Sequence, residues 1–281
     1  MVFSERLGQL LRVPVTRLEF TGAQHGVSHA TATLADGREV FVKSGPAGGF
    51  PAEANSLRWL GSAGGAPVPE VLAVDDEHLV IELLPPGGSS PSAAFEFGTA
   101  LARTHAAGAD SFGAPWPGSI AGLPLDNSPG DSWPAWYAER RLLPFLRRAF
   151  DAGVLDPSDV RLVESVIARV DDLSGPPSPP ARIHGDLWSG NIFWSGGQGW
   201  LIDPAAHGGH RETDLAMLAL FGAPHLDDIL AGYTSVFPLP GGWRQRVPLH
   251  QLHPLLVHAC LYGPSYRTPL HQAAHAATRT G

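Results

Sequence analysis

The sequence predicts an α+β fold of two lobes, a small antiparallel-sheet lobe with one main helix followed by a larger, mostly helical lobe. Three observations carry that expectation. Short alternating apolar runs separated by turn signals occupy residues 15–83. After residue 90 apolar side chains recur instead at helical spacing. Between the two patterns Leu84-Pro85-Pro86-Gly87-Gly88 forms a stiff, then flexible, connection. The expected domains are therefore residues 1–84 and residues 85–281.

Residues 1–13 read as a short helix with Phe3, Leu7, Leu10 and Leu11 on one face. Val15 to Phe20 reads as a strand, residues 21–28 as a polar turn containing Gly22, His25, Gly26 and Ser28, and Val27 to Leu34 as a second strand. Asp36-Gly37 is a hairpin signal leading into Glu39-Val40-Phe41-Val42-Lys43. Gly48-Gly49-Phe50-Pro51 opens a helix through Leu60, with Pro at its first turn and Glu53 where a carboxylate suits the helix dipole. Val71–Val74 and His78–Leu83 make a second hairpin around Asp75-Asp76. Ser90-Pro91 caps a helix through His105, and residues 108–130 form a Gly/Pro loop. Helices are expected at 132–150 and 157–173, before the stiff linker Gly175-Pro176-Pro177-Ser178-Pro179-Pro180. Asp214 opens a further helix, and residues 224–280 read as three more.

Composition excludes several function classes. The 33 Gly and 27 Pro are dispersed without repeat, which argues against collagen-like or low-complexity chains. A net charge of −8 argues against a general nucleic-acid binder. The single cysteine, Cys260, allows no intrachain disulfide and no cysteine metal cluster; its apolar neighbours suggest a structural thiol. No signal peptide is apparent from Met1 and Val2 onward, and no apolar run is long enough to span a membrane. The expected compartment is the cytoplasm.

The chemistry concentrates in Arg182-Ile183-His184-Gly185-Asp186-Leu187-Trp188-Ser189-Gly190-Asn191 and in Trp200-Leu201-Ile202-Asp203. Phosphoryl transfer needs a carboxylate to accept the proton of the attacking hydroxyl, and oxygen ligands to hold Mg²⁺ against a triphosphate. Asp186 and Asn191 are spaced as the Asp and Asn of the kinase loop H-R-D-x-x-x-x-N, with Gly185 in place of Arg, and Asp203 takes the place of the D-F-G aspartate. Far upstream stands Lys43, a single lysine among 19 Lys and Arg, ending a strand as in the kinase V-A-I-K motif. A chain that otherwise uses Arg has kept one compact ammonium where phosphates would crowd. Glu53 is the candidate partner of that lysine; its bland reading is a helix-dipole carboxylate. Gly26 and Ser28 are candidates for lying over phosphates, and main-chain groups near Glu82 and Leu84 for meeting the adenine edge. His207 and His210 invite a zinc reading, but no third ligand stands at a sensible spacing.

Together these residues resemble the aminoglycoside phosphotransferase and protein-kinase-like superfamily and, within it, the fructosamine-3-kinase (ketosamine kinase) family. The narrowing residues are His184-Gly-Asp-Leu-Trp-Ser-Gly-Asn191, Ala52-Glu-Ala-Asn-Ser-Leu57, Ile202-Asp-Pro-Ala205, Tyr137-Ala-Glu-Arg-Arg-Leu-Leu-Pro144, Arg211-Glu-Thr-Asp-Leu-Ala-Met217 and Pro254-Leu-Leu-Val-His258. The resemblance runs from about residue 20 to 268. His207 and Gly209-His210 depart from it, standing where the family often has aromatics and Gly-Asp. It implies a two-lobed protein-kinase-like fold and ATP-dependent phosphorylation of the sugar 3-hydroxyl of a small or protein-bound ketosamine, leading to deglycation. It further implies Asp186 as base, Asn191 and Asp203 as Mg²⁺ ligands, Lys43 as phosphate clamp and Glu53 as its partner. Trp188 becomes a candidate wall against the sugar, and His207 and His210 candidate substrate neighbours. A monomer without nucleic-acid or membrane partners is expected. The competing readings are a kinase for an aminoglycoside, sugar, choline or homoserine, and a non-catalytic nucleotide-binding protein.

Overall fold

A computed structural model describes residues 3–24, 26–45 and 49–279. His25, Gly48, Met1, Val2 and the last two residues, which figure in the expected turn, helix start and termini, lie outside the described residues. Helix α1 (Phe3–Leu11) is followed by strands β1 (Val15–Gln24), β2 (Val27–Leu34) and β3 (Glu39–Ser44), helix α2 (Phe50–Gly61), and strands β4 (Val71–Val74) and β5 (His78–Glu82). Among the described residues these strands form one antiparallel sheet in the order β1-β2-β3-β5-β4.

Period-2 alternation gives the sheet two faces. Ala30, Ala32 and Leu34 of β2, Val40 and Val42 of β3 and Val80 of β5 pack around Leu7 of α1. The opposite parity, Leu79 and Ile81 with Phe41 and Val27, packs against Phe50, Ala54 and Leu57 of α2. The hairpin at Asp36-Gly37 forms as expected, with Gly37 at φ 86° and Leu34 N donating to Arg38 O at 2.8 Å.

The second lobe begins with α3 (Pro91–Ala106), whose Ser90 cap accepts from Ala93 N at 3.1 Å. The expected loop at 108–130 contains a small hairpin, β6 (Gly118–Ile120) with β7 (Leu123–Leu125). The helix expected at 132–150 is interrupted: α4 (Trp133–Tyr137) passes through a π-turn (Ala138–Leu142) into α5 (Leu143–Asp151). Pro144 has no N–H to continue the regular ladder, and a wider turn absorbs the defect. The helix expected at 157–173 likewise splits into α6 (Pro157–Ile167) and α7 (Val170–Leu173), because Arg169 leaves helical geometry. The rest comprises β8 (Ala181–Ile183), the hairpin β9 (Ile192–Ser195) and β10 (Gln198–Leu201), β11 (His207–Gly209), α8 (Glu212–Phe221), α9 (Leu226–Val236), α10 (Trp243–Tyr262) and α11 (Arg267–Thr278).

Helix α2 belongs to two cores. Its first turns pack on the sheet, but Leu60 joins Phe97, Leu101, Leu187 and Leu201 in the core of the helical lobe. Arg182 of β8 fixes that end, donating from Nη1 to Trp59 O (2.6 Å) and Ser62 Oγ (2.8 Å) while its guanidinium lies 4.5 Å from the centre of the Trp59 ring. No described helix is long and apolar enough to cross a membrane.

Candidate active site

Parity on β3 decides what reaches the cleft. Val40 and Val42 point to α1, so Phe41 and Lys43 face the side of α2. Lys43 Nζ donates to Glu53 Oε1 at 2.6 Å and to Asp203 Oδ1. Burial pulls the ammonium pKa down, but Glu53 and Asp203 outweigh it, and the net shift is upward. Burial raises the Glu53 carboxyl against the pull of Lys43. The side chain of Lys43 is only 7% exposed, in a slot cut for a compact charge. Lys43→Arg therefore displaces one or both carboxylates, and we expect kcat/KM for ATP to fall about 10²-fold. Near-normal steady-state kinetics in that variant would undo the argument from compactness.

Strand β8 delivers His184-Gly185-Asp186, and a buried carboxylate holds the loop in shape. Asp214, in the first turn of α8, accepts from His184 N (2.7 Å) and Gly185 N (3.0 Å). A third bond comes from His105 Nε2 at 3.0 Å, which leaves His105 Nδ1 to accept from the Tyr233 hydroxyl at 2.9 Å. His105 and Asp214 are thus structural braces. Burial lowers the pKa of His184, whose neutral ring accepts from Asp186 N at 3.2 Å and donates from Nε2 to Ile202 O at 2.9 Å. Gly185 has φ 82°, and a Cβ there would stand 2.3 Å from Ala205 O. Only glycine fits where the kinase motif has Arg.

Burial first, then the Asp203 and Asp214 charges, push the Asp186 carboxyl up to about 7, against a bond from Asn191. Asn191 Nδ2 donates to Asp186 O at 2.8 Å and to Oδ2 at 3.3 Å, so the oxygen of its amide is the atom left for a cation. Asn191 O accepts from Ile202 N at 3.1 Å, tying this loop to the strand that carries Asp203. Asp203 has φ 55°, a region few side chains adopt but one Asp tolerates. The structure thus brings Lys43, Glu53 and Asp203 together directly, and Asp186 with Asn191.

The other expected residues are placed differently. Trp188 is 39% exposed, its ring over Gly190, where a Cβ would stand 2.2 Å from the indole. It is outside the core and open to a ligand. Strand β1 runs on to Gln24, so most of the expected turn is strand; Gly26, at φ 80°, lies past Lys43 along the ribbon. Ser28 has the parity of Ala30 and so faces away from Lys43. Glu82 pairs with Val40 on the α1 side, its carboxylate accepting from Glu70 N at 3.3 Å; half-buried Leu84 begins the linker.

His207 and His210 are corrected from substrate neighbours to packing residues. Both are buried, and burial drives each pKa down to about 3. His207 sits 5.2 Å from the Trp136 ring with Nδ1 bonded to Ala205 O; His210 packs against Trp133. Strand β11 is squeezed between β8 and residue 113, where a Cβ on Gly208 would meet Ser111 O at 2.0 Å. The third ligand absent from the local spacing is present in space: ligand atoms of His210, Glu212 and His250 lie within 4.8 Å of one another. Glu212 is, however, bound by Arg246 through Nη2 at 2.6 Å and Nε at 2.9 Å, and His210 Nδ1 accepts from Glu212 N, which puts its proton on Nε2. The trio is a buried ion-pair and ring cluster. Sequence reading also missed Arg182 as an α2 anchor, and His29, which is opposite Lys43 in the β2–β3 register; strand parity counted from the Asp36-Gly37 hairpin would have found the latter.

The profile of the family described as fructosamine kinase matches residues 4–279. A Klebsiella aerogenes protein named "Probable ketoamine kinase" is 36% identical over 219 residues, covering 76% of this chain and 75% of its own. A Thermobifida fusca protein described as a candidate fructosamine-3-kinase has a crystal structure that superposes with a TM-score of 0.96 at 52% identity, covering 99% of both chains. The macrolide 2'-phosphotransferase of Brachybacterium faecium shares the fold alone, with a TM-score of 0.63 at 17% identity over 97% of this chain and 95% of its own.

Proposed function

The chain belongs to the fructosamine kinase family and is an ATP-dependent phosphotransferase acting on a hydroxyl; from that premise we propose that it phosphorylates the sugar 3-hydroxyl of a ketosamine, free or protein-bound, as a step of deglycation in the cytoplasm. The observation that carries this reading is the loop in which Asp186, pushed up to about 7, stands beside Asn191 and two residues before an exposed Trp188. A base of that basicity can accept the acceptor hydroxyl's proton at neutral pH. The indole offers an apolar wall against a sugar ring. Lys43, oriented by Glu53, would hold the nucleotide phosphates, and main chain near Glu82 and Leu84 the adenine. The oxygens of Asn191 and Asp203 are hard donors of the kind Mg²⁺ takes, and the ion would neutralise triphosphate charge. The lobes would divide at residues 84 and 85, with a monomer as the working unit.

The test is ADP release with Mg²⁺ against ribuloselysine, fructoselysine, aminoglycosides and simple sugars. We expect selective turnover of a ketosamine. We also expect Trp188→Ala to raise the acceptor KM about tenfold with ATP KM unchanged. Turnover confined to another acceptor would keep the kinase chemistry and discard the ketosamine.

A further inference from the structure

His29 lies on β2 between Val27 and Thr31, and it is the direct antiparallel partner of Lys43. Directly opposed residues present their side chains on the same face. That face is set independently by packing: Ala30 and Ala32, of the other parity, are buried with α1, whereas Val27 and Phe41 pack toward α2. The imidazole lies 5.5 Å from the Phe41 ring, centre to centre, and is half-buried. It therefore borders the space that the Lys43 ammonium enters from the neighbouring strand. The ribbon continues past this point before turning at Gly26, and Ser28 points the other way. On this face the residue directly beside Lys43 is therefore the strand residue His29.

We propose that His29 is a phosphate-contacting residue whose ring N–H donates to the polyphosphate of bound ATP beside Lys43, in place of the Gly26–Ser28 turn. The inference rests on the reading of this cleft as the nucleotide site. Burial first, and then the charge of Lys43, lower the His29 pKa against an opposing pull from Asp203, and the ring keeps an N–H donor in either protonation state.

Binding of ATP with Mg²⁺ and of adenosine to the full chain separates a phosphate contact from a fold effect, because adenosine has no phosphate. His29→Ala should weaken ATP about tenfold, the loss of one hydrogen bond to a charged group, and leave adenosine unchanged. His29→Gln, which restores an N–H donor, should recover part of the loss. ATP binding unchanged in His29→Ala, or ATP and adenosine weakened alike, would overturn the proposal. Lys43→Ala is the control on the underlying reading and should weaken ATP while sparing adenosine. If Lys43→Ala behaves so and His29→Ala does not, only the His29 contact fails; if Lys43→Ala leaves ATP untouched, the cleft assignment fails with it.

Discussion

Asp186→Asn should lower kcat about 10³-fold while leaving ATP binding intact. The amide keeps the size of the carboxylate and can still meet Asn191 across their 3.3 Å contact, so the loop need not move. What it removes is the capacity to take a proton. Direct titration with ATP, alongside single-turnover rates, separates the two effects. A variant that kept more than a small fraction of the wild-type rate would show that another group accepts the proton, whereas loss of ATP binding would show that Asp186 shapes the nucleotide site.

Asp214→Ala should be the most damaging change to stability outside the hydrophobic cores. The carboxylate is 1% exposed and receives the N–H groups of His184 and Gly185 and the Nε2 of His105. Its removal strands buried donors, a cost of about 3–5 kcal/mol and a fall in Tm on the order of 10 °C. Burial raises the Asp214 pKa, but the bonds from His105 and the backbone outweigh it and the net shift is downward. A depressed carboxylate contributes stability above its unfolded pKa of about 3.9, and the contribution is lost as pH falls through the lower folded value. Acid-denaturation profiles should therefore show a flatter acid limb in Asp214→Asn than in the wild type. An unchanged limb and Tm would mean that the loop is held by other contacts.

The fold class and the main elements were legible because alternation and helical spacing are local signals. Proline at the start of α2 and α3, the Asp36-Gly37 hairpin and the Ser90 cap each act within a few residues. The interruption at Arg169 was not legible, since apolar spacing runs through it; that at Ala138–Leu142 was signalled by Pro144, which the continuous apolar spacing outweighed in the reading. Asp186, Asn191 and Asp203 could be picked out by their close spacing, and Lys43 by its rarity. His207 and His210 misled because a pair of histidines reads the same whether a ring faces solvent or Trp136 and Trp133. Glu212 pairs with Arg246 and His250, both in α10, and nothing local in the sequence connects them. Ser28 was read at the end of a turn, whereas it lies in β2 with the parity of Ala30, a single position from His29.

Helix α2 makes the two lobes share a member, as a beam may be built into two walls. Its first turn holds Lys43 through Glu53, and its last is bolted to β8 by Arg182. If the sheet swings outward with α2, the bonds to Trp59 and Ser62 must break; if it swings without α2, the Lys43–Glu53 pair must. Opening of the cleft is thus resisted at one end of the helix or the other. The same β8 that takes this load leads directly into His184-Gly185-Asp186, so the lysine and the base are gauged from one strut, a helix 12 residues long.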